Sequence, residues 1–233
     1  MAKLSNQKSL AEKITDYESQ DSIGSRLRAR RIAPLLALIE KVSREQGSVR
    51  IIDIGGTEQY WGIVPRQYLL DQNVEITIVN IPGTRLPANH GPFVFTHADG
   101  CDLAEFEDNS FDIAHSNSVV EHVGDWSRMV QFSRELGRVA PKYFVQTPNY
   151  WFPIEPHCMT PFFHWLPKAT RIWLVMKFSL GHWHRASSVG EAVETVESAR
   201  LLNRKMFSAL FGDAQILTER IAFMPKSFIA VRD

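Results

Sequence analysis

Residues 49–56, V-R-I-I-D-I-G-G, constrain this chain more than any other segment. An apolar run ending in an aspartate and a glycine pair predicts a buried parallel strand. The strand would close in a sharp turn where backbone must come close to a bulky group. In open α/β sheets the ligand crevice lies outside the carboxyl ends of the strands. Residues 53–58 are therefore the first place to look for a bound cofactor.

The pattern downstream supports such a sheet. Strands are predicted at Arg50–Ile54, Glu75–Ile81, Phe93–His97, Phe111–Ser116 and Tyr143–Thr147, with helical stretches between most of them and the clearest from Trp126 to Val139. Strands alternating with helices imply a parallel sheet covered on both faces. Ala214–Phe223 and Ser227–Val231, separated by an M-P-K turn containing Pro225, predict an antiparallel hairpin at the sheet edge. Ahead of the first strand, Leu10, Ile14 and Tyr17 mark a short amphipathic helix over residues 7–19. A stronger helix runs from about Ser25 to Arg44, with Ile32, Leu35, Leu36, Leu38 and Ile39 on one face. Pro34 sits inside it and favours a fresh helix start near Ile32. The organisation expected is a helical segment at 1–45, an α/β core at 46–148, an insertion at 149–190 and the rest of the core at 191–233. The insertion holds four tryptophans and four histidines and reads as a cap over the crevice.

Charge narrows the partners. Lys+Arg and Asp+Glu balance at 26 each, so nothing points to nucleic acid. The run Arg26-Leu27-Arg28-Ala29-Arg30-Arg31 reads as a solvated helix face. Cys101 and Cys158 are far apart and lack metal-type spacing, which argues against a disulfide framework and for a reducing compartment. The polar start M-A-K-L-S-N carries no secretory signal, and no uncharged apolar run reaches membrane-span length. The expectation is a cytoplasmic protein. One peripheral membrane option stays open, because Ile172-Trp173-Leu174-Val175-Met176 is too short to span but suits an interfacial helix reaching a lipid-linked substrate. A packed lid helix or a homodimer contact is the competing reading.

Five stretches in order carry a resemblance: I-I-D-I-G-G-T, I-T-I-V-N-I, H-A-D-G-C-D-L, N-S-F-D-I-A-H-S-N-S-V-V-E-H-V and F-V-Q-T-P-N. Through them residues 45–150 resemble the class I S-adenosylmethionine (SAM) dependent methyltransferases of the small-molecule, methyltransferase-11-like type. The resemblance implies a doubly wound, seven-stranded Rossmann-like α/β sheet in the order 3-2-1-4-5-7-6 with an antiparallel last strand, N-terminal helices and an inserted helical lid. It implies SAM as cofactor, held by Asp53, Gly55, Gly56 and Thr57 at the first turn, with Asp53 toward the cationic amino-acid end. Asn80, followed by Ile81, would meet the ribose hydroxyls, and Asp99 with Gly100 and Cys101 would meet adenine. Ser116 and Asn117 would lie near the methionine moiety. The chain departs from the family at Thr57 and Gln59, where glycines are common, and at Asn80, where an acid is common. A charged acceptor binds about twice as strongly as a neutral one. The nicotinamide alternative fails because G-G-T-E-Q-Y-W-G lacks the G-x-G-x-x-G spacing.

Methyl transfer from a sulfonium asks the protein to align the nucleophile and exclude water, with a base if the acceptor is a hydroxyl. His157, in P-I-E-P-H, is the preferred base and His122, in E-H-V, the other, although Glu121-His122 also reads as support for the fold. Glu155 would orient His157 or hold polar groups of the acceptor. His157, His164, His182 and His184 with Cys158 lack a regular zinc spacing and read as polar tips on an aromatic lid, so no metal is expected. The expected reaction is methylation of a small or medium acceptor, foremost O-methylation of a sugar, glycan or secondary metabolite. N-methylation, or a non-catalytic binding subunit with the same fold, is the alternative.

Overall fold

A computed structural model describes residues 23–233, with side chains from residue 31 onward. The helix expected over 7–19 and most of the basic run's side chains lie outside the described residues. The first described element, α1 (Ile23–Gln46), is one continuous helix with Pro34 inside it, not a helix restarted near Ile32. Tertiary packing overrides the lost hydrogen bond, because Ile32, Leu35, Leu38, Ile39 and Val42 are all buried against the sheet.

The strands are β1 (Val49–Ile54), β2 (Val74–Asn80), β3 (Phe93–His97), β4 (Ile113–Asn117), β5 (Lys142–Pro148), β8 (Gln215–Ile221) and β9 (Met224–Arg232); a separate two-stranded pair in the insertion supplies β6 (Ile154–Glu155) and β7 (Thr160–Pro161). The main sheet has seven strands in the order β3-β2-β1-β4-β5-β9-β8, which is the expected order. β1 to β5 run parallel, and β9 is antiparallel to both of its neighbours, β5 and β8. β9 is thus the single reversed strand, and β8 forms the edge. The hairpin turn lies at Ala222–Phe223, with Ala222 left-handed (φ 53°), and not at the M-P-K segment. Pro225 sits within β9 beside the irregularity between Glu219 and Arg220, where a missing ladder N–H is tolerated.

Successive residues of β1 explain its apolar run. Ile51 packs on one face with α1, while Ile52 and Ile54 pack on the other with Phe132 and Leu136 of α4 (Trp126–Val139). A strand buried on both faces has no polar positions to alternate.

The insertion folds as its own packed unit. Cys158, Phe163 and Val175 of the insertion share a small core with Ala192 and Val196 of α6 (Val189–Glu197), so this unit runs past residue 190. In α5 (Lys168–Lys177) Ile172, Leu174, Val175 and Met176 pack into that core, while Trp173 of the same segment stays exposed. Among the described residues no helix is long and apolar enough to cross a membrane.

Candidate active site

The turn after β1 is built for close approach. Gly55 adopts φ +71°, and a Cβ there would lie 2.6 Å from the Val119 side chain. A Cβ on Gly56 would fall 1.8 Å from Asp53 Oδ2, so both positions demand glycine. Beyond this turn lies a cavity of about 370 Å3 rimmed by Gly55, Asn80, Ile81, Asp99, Gly100 and His122. Its volume falls within the range of small-ligand sites, roughly 300–1,000 Å3.

The predicted cofactor residues divide. Gly55, Asn80, Ile81, Asp99 and Gly100 line this cavity. Asn80 Nδ2 donates to the Gly56 carbonyl (3.0 Å), which ties the tip of β2 to the β1 turn and leaves Oδ1 as its acceptor. Asp99 accepts from Cys101 N (2.9 Å) and from Arg128 Nη2 (2.6 Å). Burial raises the Asp99 pKa, but these bonds outweigh it and hold the carboxyl below its ordinary value.

Asp53, Gly56, Thr57, Cys101, Ser116 and Asn117 do not line the cavity. Asp53 is fully buried beneath the turn, accepting from Trp61 Nε1 (2.7 Å) and His115 Nδ1 (2.6 Å). The carboxylate braces the turn from inside. Thr57 caps α2 (Glu58–Trp61) by accepting from Tyr60 N. The Cys101 thiol is buried, which pushes its pKa up to about 11, and Sγ donates to the Arg128 carbonyl (3.3 Å). Ser116 Oγ donates to the Ile54 carbonyl (3.1 Å), and Asn117 sits one step short of the rim that Ser118 and Val119 form. Arg128, Phe132, Ser118 and Val119 were not expected at this site. Arg128 and Phe132 share a helix face, the one signal available for them.

The three predicted catalytic residues do converge. His122 Nε2 and His157 Nε2 lie 3.0 Å apart, and His157 Nδ1 lies 2.7 Å from Glu155 Oε1. Glu155 Oε2 also accepts from the backbone N–H of His157 (2.8 Å) and Cys158 (2.7 Å). Burial raises the Glu155 pKa, yet His157 and these amides bring it below the ordinary value. For His157 burial lowers the pKa, and Glu155 reverses this to a net rise. His122 is lowered by burial despite its Nδ1 bond to the Ser198 carbonyl (2.7 Å). Glu155 and Ser198 line a second cavity of about 430 Å3 between the insertion and residues 195–201, together with Tyr150, Trp165, Arg171 and Trp183. His122 lines the first cavity, while Ser198 and Glu155, the partners of His122 and His157, line the second. His182 and His184 take no part in it. Among the described residues the group able to surround an ion is instead Glu121, His122 and His157.

Residues 66–142 match the family described as Methyltransferase domain. The match over this third of the chain and the strand order give the chain a Rossmann-like methyltransferase fold. SAM is the cofactor of such a domain, and the open hollow at the strand tips, with acceptors at Asn80 and Asp99, fits its adenosine. No curated protein matches the sequence. Among solved structures, the DszA carbon methyltransferase is 11% identical with a TM-score of 0.54, covering 90% of this chain and 54% of that one. A LepI variant in complex with SAH and a substrate analogue is 10% identical with a TM-score of 0.50, covering 85% and 46%. An O-methyltransferase family protein from Burkholderia thailandensis is 15% identical with a TM-score of 0.49, covering 96% and 67%. At these identities the methyltransferase likeness is one of fold. The chain spans between 46% and 58% of the length of several chains it resembles.

Proposed function

We propose that this chain transfers a methyl group from SAM to a hydroxyl of a small acceptor held beneath the lid. The observation that carries this reading is the line of contacts from His122, on the rim of the cofactor-side cavity, through His157 to Glu155, on the rim of the lid-side cavity. A hydroxyl presented at that junction would meet the methyl group on one side and a proton acceptor on the other. The sulfonium leaves as a neutral thioether, so the oxygen gains the methyl and its proton passes to the facing Nε2 atoms. Glu155 steadies the imidazolium that results.

The lid cavity supports an acceptor with a flat apolar body and an anionic group. Trp165 and Trp183 offer ring faces, and the Nε atom of Arg171 is buried there without a partner. Aromatic secondary metabolites bearing an acid fit that description, and an acidic sugar would meet the rings only through its C–H face. An amine that is already neutral attacks without a base, whereas a hydroxyl gains from the Glu155-backed pair, and oxygen is preferred on that ground.

Isothermal titration with SAM and with S-adenosylhomocysteine tests the cofactor half. Both bind in the expected result, and Asp99→Ala weakens both by about tenfold, the loss of one charge-assisted hydrogen bond. Binding of neither by folded protein overturns the enzyme and favours a non-catalytic subunit.

A further inference from the structure

The two active-site imidazoles are arranged in an unusual way. His122 Nδ1 donates to the Ser198 carbonyl at 2.7 Å, which fixes its proton on that side. His157 Nδ1 donates to the Glu155 carboxylate at 2.7 Å, which does the same. Both rings then present the lone pair of Nε2, and the two Nε2 atoms face each other at 3.0 Å. Such lone pairs repel unless a proton or a metal ion is shared between them. Glu121, in the turn that carries His122, is buried; its Oε2 accepts from Thr147 Oγ1 (3.0 Å), while its Oε1 is buried with no partner. Ligand atoms of Glu121, His122 and His157 all lie within 4.8 Å of one another.

We propose that Glu121, His122 and His157 form a binding site for one divalent transition-metal ion at the junction of the two cavities. A metal held about 2.0–2.1 Å from each imidazole nitrogen sees the observed 3.0 Å separation at an angle of about 94°, suited to adjacent positions in its shell. Two imidazoles and one carboxylate leave further positions open for water or an acceptor oxygen. The outer shell is already in place, since ligating histidines characteristically donate their other N–H to a carboxylate or a backbone carbonyl, here Glu155 and Ser198. Two imidazoles and a carboxylate taken from a turn and a lid hairpin, each with its partner behind it, are more than a chance acidic cluster.

A proton and a cation compete for the same pair of lone pairs, so binding releases a proton and strengthens as pH rises. Glu121 and Glu155 are the carboxyl groups facing the pair from the two elements that carry it; burial raises the Glu121 pKa to about 7, whereas that of Glu155 is lowered. In the loaded protein the cation takes over activation of the acceptor oxygen by lowering its pKa. That role rests on the methyl-transfer reading; occupancy of the site does not.

The test is titration of chelator-stripped full-length protein with cobalt(II), followed by visible absorption, and with zinc(II), followed by calorimetry. One ion per chain is expected. His122→Ala, His157→Ala and Glu121→Gln should each weaken it at least tenfold, and Glu155→Gln by about 10–100-fold through the outer shell. His184→Ala, in the lid but outside the cluster, should leave it unchanged. Absence of stoichiometric binding, or affinity unmoved by His157→Ala in folded protein, overturns the site. S-adenosylhomocysteine titrated into the same samples separates the two readings. Cofactor binding without metal binding removes the ion site alone, and metal binding without cofactor binding removes the methyltransferase reading alone.

Discussion

Asp53→Ala is expected to cost the fold about 3–5 kcal/mol, the penalty for removing one partner from a buried polar pair. The carboxylate is wholly enclosed and accepts from two side chains, Trp61 Nε1 and His115 Nδ1, that are themselves almost fully buried. Alanine leaves both donors without acceptors and opens a void under Gly56. Urea unfolding should show the transition midpoint falling with its slope unchanged. Asp53→Asn, which keeps one acceptor, should lose less. A loss below about 1 kcal/mol for alanine would mean that water reaches the Trp61 and His115 donors. Cofactor affinity of folded Asp53→Ala protein should fall less than that of Asp99→Ala, because Asp53 lies behind the turn and Asp99 on the cavity rim.

His157→Ala should lower turnover by about 10²–10⁴-fold in chelator-treated protein while leaving SAM affinity within about twofold. Burial pulls the His157 pKa down, but the bond and charge of Glu155 lift it above the ordinary imidazole value. The pair accepts a proton only after His157 has lost its own. The rate should therefore rise with pH through that elevated pKa, above about 6.5, and level off beyond it. Glu155→Gln removes the support and should move the rising limb to lower pH. Stopped-time assays across pH with labelled SAM read both effects. An unchanged profile in Glu155→Gln would detach Glu155 from the proton path.

What could be read from the sequence follows from how local each feature is. The buried runs of β1 and β2 declare themselves because both faces are covered. Gly55, Asn80 and Asp99 could be placed on the cavity rim because crevices in such sheets open at the strand tips. The inward turn of Asp53 was not, since it depends on His115, 62 positions away on the neighbouring strand. Pro34 misled because helix propensity is weak beside five buried apolar contacts. The histidines of the lid were visible as a group, yet the pairing of His157 with His122 bridges 35 positions and needs the lid folded over the sheet. Glu121 has no mark in the sequence beyond the E-H pair, because nothing there reveals that one of its oxygens is buried and alone. Arg128 sits in the first turn of α4 with no local mark of its contact to Asp99.

The place of β9 between β5 and β8 has a consequence for biosynthesis. β5 is translated some eighty positions before its partner, and its outward amides stay unmatched until residues 224–232 emerge. Throughout that interval the nascent chain exposes an open template for strand addition, which makes this side of the sheet a natural target for chaperones and for wrong pairings.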